Sequence, residues 1–189
     1  ESGVLKIRSV LPFRQDDVRL VRVTVEKQAF GPAKEVAKTI PGLEMQVTDG
    51  MFLNSSKLGD VKMEEIGYQG LREITSVVKS SESMRGVKQY AAIATGYVNI
   101  PEEGVYYISS DNEEVWIDGK LLVNNAGEVK RFSRHDSSAA LSKGLHEIKV
   151  VFLGHIIGGW PSNWNDGSVK LRKADSDKFV KITPEMLVH

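Results

Sequence analysis

Short β-prone runs closed by Gly, Asn, Asp or Pro recur along most of this chain, and that recurrence narrows the fold more than any other feature. Runs at 43–47, 90–100, 105–109, 115–117, 121–123, 145–153 and 168–172 alternate with turn signals such as Thr48-Asp49-Gly50, Pro101-Glu102-Glu103-Gly104, Asp118-Gly119 and Asn124-Asn125. Regular short strands with such turns favour an antiparallel sandwich or barrel over alternating β and α units. The fold class expected is therefore all-β, an antiparallel β-sandwich. Only residues 62–78 offer a short helical pattern, interrupted by Gly67 and Gly70. Side chains in a strand alternate between faces, and this alternation nominates Val105, Tyr107, Val115, Ile117, Ile148 and Val150 as inward positions.

The N-terminal stretch reads differently. Residues 4–10 and 18–26 are two near-alternating β-branched runs around the polar turn Arg14-Gln15-Asp16-Asp17, which predicts a hairpin. Two strands alone are marginal in water, so residues 1–27 are expected to be the terminal hairpin of a truncated preceding domain. Residues 28–42, punctuated by Gly31, Pro32, Pro41 and Gly42, read as a linker, and 43–189 as the main domain. A chain that starts in strand-like text without Met is expected to be the C-terminal piece of a longer polypeptide.

Composition removes whole classes of function. The 189 residues are 41% hydrophobic, enough for a real core, and 25 Lys and Arg balance 25 Asp and Glu. With no block of one sign, nucleic acid is not an expected partner. No run approaches the roughly 18 apolar residues that would predict a membrane span. The absence of Cys excludes disulfides, thiolate metal sites and cysteine nucleophiles.

Two stretches carry candidate chemistry. Asp111-Asn112-Glu113-Glu114 follows a strand directly and offers hard oxygen donors, which suits Ca²⁺; read plainly, it is a solvated acidic turn. Gly158-Gly159-Trp160-Pro161-Ser162-Asn163-Trp164-Asn165-Asp166-Gly167 puts two indoles in a Gly/Pro/Asn-rich loop. An exposed indole packs well on the apolar face of a sugar, and Asn163 can exchange hydrogen bonds with its hydroxyls; the alternative is that both rings fold back to plug the end of the sandwich. Asp118-Gly119 is the ordinary signal of a tight hairpin turn, and His155 reads as structural.

Catalytic chemistry finds little support. Ser133, His135 and Asp136 are neighbours in sequence, but a nucleophilic triad depends on spatial roles and no strand-to-helix nucleophile elbow is present. Glu64-Glu65 and Glu113-Glu114 diverge as sequence neighbours and do not flank one bond as a glycosidase pair does. Four scattered His show no metal-ligand spacing.

The ordered set Gly96-Tyr97-Val98, Ile100-Pro101, Gly104-Val105-Tyr106-Tyr107-Ile108-Ser109-Ser110-Asp111, Trp116-Ile117-Asp118-Gly119-Lys120 and Leu141 to Val150 resembles the protective-antigen-type domain, a β-sandwich module of adhesins, toxins and glycosidases. The resemblance runs from about residue 43 to His189. The segment 5–12 followed by 21–25 resembles, over fewer residues, the last hairpin of the fibronectin-III-like domain of family 20 β-N-acetylhexosaminidases. Together the resemblances imply a noncatalytic C-terminal accessory module of a periplasmic, cell-surface or secreted bacterial hexosaminidase. With the aromatic loop read from its residues, they lead to an expectation of carbohydrate binding through Trp160, Trp164, Asn163, Asp111 and Asn112, with glycan or the parent catalytic domain as partner. The alternative is a structural or interaction module docking on that catalytic domain through the same aromatic patch. Fungal adhesins of the family bind Ca²⁺ and sugar through two consecutive Asp where this chain has Asp111-Asn112. The amide keeps an oxygen ligand and removes a charge, so the implied Ca²⁺ site is a weakened one.

Overall fold

The computed structural model describes residues 29–67, 84–87, 89–126, 137–154 and 167–189 in full, and the backbone alone of Ser2–Arg8, Val18–Thr24, Tyr68, Gln69, Ile156–Ile157 and Trp160–Pro161. Strands β1 (Ser2–Arg8) and β2 (Val18–Thr24) pair antiparallel, Ser2 opposite Thr24, as the alternating N-terminal runs predict.

The main body is two sheets face to face. The larger contains β3 (Leu43–Asp49), β4 (Glu64–Gln69), β5 (Tyr90–Ile100), β7 (Glu114–Ile117), β8 (Lys120–Asn124), β10 (Gly144–Gly154) and β15 (Leu187–Val188), in the order β4-β3-β5-β10-β7-β8 with β15 also on β5. The smaller runs β14-β13-β6-β9, built from β6 (Gly104–Ser110), β9 (Ser138–Leu141), β13 (Val169–Lys173) and β14 (Val180–Lys181). A short ribbon pairs β11 (Ile156–Ile157) with β12 (Trp160–Pro161). The antiparallel β-sandwich expected from the strand pattern is observed, and every run named for the main domain is a strand.

Alternation explains the core. Leu43, Met45 and Val47 of β3, Ala92, Ala94 and Val98 of β5, Val115 and Ile117 of β7, and Ile148, Val150 and Phe152 of β10 all face Ile108, Leu141, Val169 and Leu171 of the smaller sheet. Fully burying one such side chain contributes about 1.5–3 kcal/mol. Gly96 belongs to this inward set because a Cβ there would lie 2.6 Å from the Val188 carbonyl and 2.7 Å from a Leu43 methyl. The Gly-Tyr pair in β5 thus admits the C-terminal strand.

Two expectations are corrected. In β6 the inward residues are Tyr106 and Ile108, while Val105 is exposed and Tyr107 is half-buried beneath the Arg172 guanidinium, 4.4 Å from its ring centroid. Tyr106 is tolerated inside because its hydroxyl donates to the Glu102 carbonyl at 2.7 Å. Within 62–78, residues 64–69 form β4 rather than helix, bonded to β3 with a register shift opposite Glu44 and Gln46; the rest of that stretch lies outside the described residues. The segment expected to be a linker is stitched to the sandwich by bridges from Gly31 to Leu141, Lys34 to Leu145 and Pro41 to Val188.

Among the described residues, the outward face of the larger sheet is covered at one end only. The connection between β3 and β4 carries a 3-10 helix, Ser55–Asp60, capped by the Asn54 side chain accepting from Ser56 N. Its Leu58, with Phe52 and Met63, packs on Ala91, Val151 and Leu153. Glu114 ties this flap down by accepting from Ser55 N at 3.0 Å and Ser55 Oγ at 2.7 Å.

Candidate functional site

The turn that leaves β6 is the most polar buried region among the described residues. Ser110, Asn112, Glu113, Glu114 and Asn125 are all buried, and Asp111 is half-buried between them. Buried polar groups are tolerated when hydrogen-bonded, and these largely are. Asn112 Nδ2 donates to Ser110 Oγ at 2.9 Å and to the Gly167 carbonyl at 2.8 Å, and Ser110 Oγ donates to the Ser168 carbonyl at 2.9 Å. Asn125 Nδ2 donates to the carbonyls of Asn112 at 2.8 Å and Ser110 at 3.3 Å. Glu113 turns the other way, its Oε2 accepting from Leu153 N at 2.7 Å.

The consequence is spatial. Gly167 ends the loop that carries Trp160, Asn163 and Trp164, so the Asn112 amide holds the near end of that loop against the turn holding Asp111. The Gly167 and Ser168 backbone thus meets a turn more than 50 residues earlier in sequence. The side chains of Trp160, Asn163 and Trp164 themselves lie outside the described residues, as do His155 and the Ser133, His135, Asp136 stretch.

Asn112 Oδ1 is buried and has no hydrogen-bond partner among the described residues. The Gly167 carbonyl fixes the amide's orientation, since only the nitrogen can donate to it. An oxygen so left suits a hard cation, and Asp111 supplies the adjacent carboxylate. No three His, Asp or Glu converge on a point among the described residues, so these two residues furnish only a sparse donor set.

The remaining candidate chemistry is structural. Asp118 and Gly119 take φ of 48° and 75°, a left-handed pair suited to the tight hairpin joining β7 and β8. The Asp118 carboxylate accepts from Glu147 N at 3.0 Å and lies 2.7 Å from Nδ1 of the fully buried His146, whose Nε2 is 2.9 Å from the Ser142 carbonyl. Both ring nitrogens face oxygen acceptors, so His146 is committed to holding the hairpin. Glu113 and Glu114 are spent on the β10 backbone and on Ser55 and Trp116 respectively.

Sequence reasoning assigned no part in this site to Asn125 or Ser110. Asn125 reads as half of an Asn-Asn turn, and nothing local distinguishes a turn residue from one that bonds a turn 13 residues away.

Residues 51–178 match the PA14 domain. The chain belongs to the PA14 domain family. It is 41% identical over 189 residues to a β-hexosaminidase of Porphyromonas gingivalis (strain ATCC BAA-308 / W83), covering 99% of this chain and 24% of that protein; the chain thus spans about a quarter of its relative. Among solved structures, the PA14 domain of the MpAFP antifreeze protein aligns with a TM-score of 0.52 at 14% identity, covering 84% of this chain and 95% of that one. A PA14 sugar-binding domain from an RTX adhesin aligns with a TM-score of 0.54 at 13% identity, covering 79% and 99%. At such identities these two speak for the fold. The protective-antigen-type sandwich and the link to a hexosaminidase, both expected from the motifs, are borne out. Among the described residues no helix is long and apolar enough to cross a membrane.

Proposed function

We propose that this PA14 module is a noncatalytic accessory part of a β-N-acetylhexosaminidase acting in the periplasm, at the cell surface or in the medium, and that it binds glycan at the loop end of its sandwich. Residues 1–27 are the end of a preceding fibronectin-III-like domain in this reading, 28–42 its linker and 43–189 the module. The observation that carries the reading is the clasp from Asn112 to Gly167, which ties the turn holding Asp111 to the residue that follows the Trp160, Asn163 and Trp164 stretch in sequence. In this reading the indoles supply faces for the sugar, and the Asp111 carboxylate and Asn112 amide supply groups for its hydroxyls. Kinship with a hexosaminidase supports an N-acetylhexosamine-containing ligand.

Asp111 and Asn112 Oδ1 would hold a Ca²⁺ ion here, and the ion when bound supplies a positive centre for sugar hydroxyls. The test is a titration of the chain with N-acetylglucosamine oligosaccharides, followed by Trp fluorescence in Ca²⁺ and then in chelator. The expected result is a saturable change that weakens on chelation. A change unaffected by chelator would remove the cation from the site, and no change would remove the glycan.

A second reading rests on a separate observation. Met51 and Leu53, 51% and 54% exposed, lie in the flap beside the exposed Val61. Apolar side chains clustered in one surface segment suit docking on the parent catalytic domain. In the full-length enzyme, this reading expects Met51 to be protected from oxidation relative to the isolated chain.

A further inference from the structure

The uncovered part of the larger sheet's outward face forms a groove of about 670 Å³, lined among others by Glu44, Thr95, Tyr97, Trp116, Glu147 and Lys149. Its volume falls within the roughly 300–1,000 Å³ range of small-ligand clefts. We propose that this groove is a second binding site, separate from the loop end, for a neutral oligosaccharide.

The sheet register builds it. Glu44 pairs with Thr95, Thr95 with Lys149 and Lys149 with Trp116, so four side chains form one row across β3, β5, β10 and β7. Tyr97 and Glu147, paired on the adjacent row, add a phenol and a carboxylate. With strands about 4.8 Å apart, the row spans about 14 Å, long enough for a short oligosaccharide. The indole is fixed at both ends of its polarity: Nε1 donates to Glu114 Oε2 at 2.9 Å, and Lys149 Nζ lies 4.2 Å from the ring centroid. Because Glu114 also binds Ser55, the flap that covers the other end of the face orients the tryptophan at this end.

Chemistry selects the ligand. The carboxylates Glu44 and Glu147 face the Lys149 ammonium, Lys34 Nζ sits 3.5 Å from Glu147 and Glu114 lies on the Trp116 indole, so positive charge is not in excess and an anionic ligand gains no net attraction. The backbone of these strands is already bonded within the sheet, which leaves no edge for an added peptide strand. What remains is a rigid floor with two aromatic rings and fixed groups that can accept from hydroxyls (Glu44, Glu147) or donate to them (Lys149). A polyol with apolar ring faces and no charge satisfies each of these.

The test uses the ¹⁵N-labelled 189-residue chain and the indole N–H signals of its three tryptophans, with that of Trp116 assigned by Trp116→Phe. Chitotriose, cellotriose and trigalacturonate are titrated in chelator. The proposal expects a saturable shift of the Trp116 signal with chitotriose or cellotriose and at least tenfold weaker binding of trigalacturonate. Tyr97→Ala and Thr95→Arg, which strip and block the groove without touching the core, should each weaken the neutral-sugar response at least tenfold while the backbone spectrum stays folded. A Trp116 signal that moves with no neutral sugar, a preference for trigalacturonate, or a response unchanged in both folded variants would overturn it. The signals of Trp160 and Trp164 report the loop end in the same spectra, so failure of one site is read separately from failure of the other.

Discussion

The loop end and the outward groove are both polar, yet they are built on opposite plans. At the loop end the side chains of Ser110, Asn112 and Asn125 spend their hydrogen bonds on backbone carbonyls of neighbouring turns and on one another, so the polar atoms hold loops in place. In the groove, Glu44, Thr95, Lys149 and Trp116 stand on strands whose backbones are already satisfied by the sheet, and their side chains contact one another or near neighbours across the face rather than holding loops. Substituting the hydrogen-bonded side chains Ser110, Asn112 and Asn125 should therefore lower stability, whereas substitutions in the groove should leave it nearly unchanged.

The largest effect expected is from Asn112→Ala. It removes two donors and leaves the Gly167 carbonyl without its partner, a loss of about 2–4 kcal/mol for buried hydrogen bonds, read as a lower midpoint in denaturant melts. A loss below about 1 kcal/mol would mean that the clasp does not organise the loop end. Asn125→Ala should follow at about 1–3 kcal/mol, since two carbonyls lose the same amide. Lys149→Ala in the groove should cost at most about 1 kcal/mol, the scale of an exposed cation–π contact. A larger loss there would erase the contrast between the two regions.

Alkaline pH offers a control on the smaller sheet. Burial, partly opposed by Lys173, holds the Tyr106 phenol above its ordinary value of 10.0, and the hydrogen bond to Glu102 raises the Lys173 ammonium. Both groups keep their protons longer in the folded chain than in the unfolded one. Their contribution is therefore present below about pH 10 and lost as pH rises through the folded-state values. Stability should fall above pH 10, and less steeply in Tyr106→Phe; an equal slope in the two proteins would show that Tyr106 is not responsible.

Much of this architecture was legible in the sequence because strand alternation is a local signal. Val115, Ile117, Ile148 and Val150 are inward as expected, and the same alternation puts Trp116, Glu147 and Lys149 on the opposite face, where the groove lies. The run Val105-Tyr106-Tyr107-Ile108 misled because aromatic residues occupy both faces. What settles it is the reach of Tyr106 to Glu102 and the Arg172 guanidinium over Tyr107, and neither is visible in the strand itself. Residues 64–69 resembled helix because Gly67 blurs alternation, and only pairing with β3 fixes them as a strand. At the loop end the sequence identified Asp111 and Asn112 as polar donors. It did not disclose that Asn112 reaches Gly167, because that contact closes 55 residues of chain.

The most direct test of glycan recognition is calorimetric titration of the 189-residue chain with an N-acetylglucosamine oligosaccharide in Ca²⁺, alongside the Trp160→Ala, Trp164→Ala double variant. With the titration repeated in chelator, the expected result is saturable binding whose chelator-sensitive component is lost in the double variant while its melting temperature is retained. Absence of binding in the unmodified chain, or a chelator-sensitive component undiminished in the double variant, would contradict glycan recognition at the loop end.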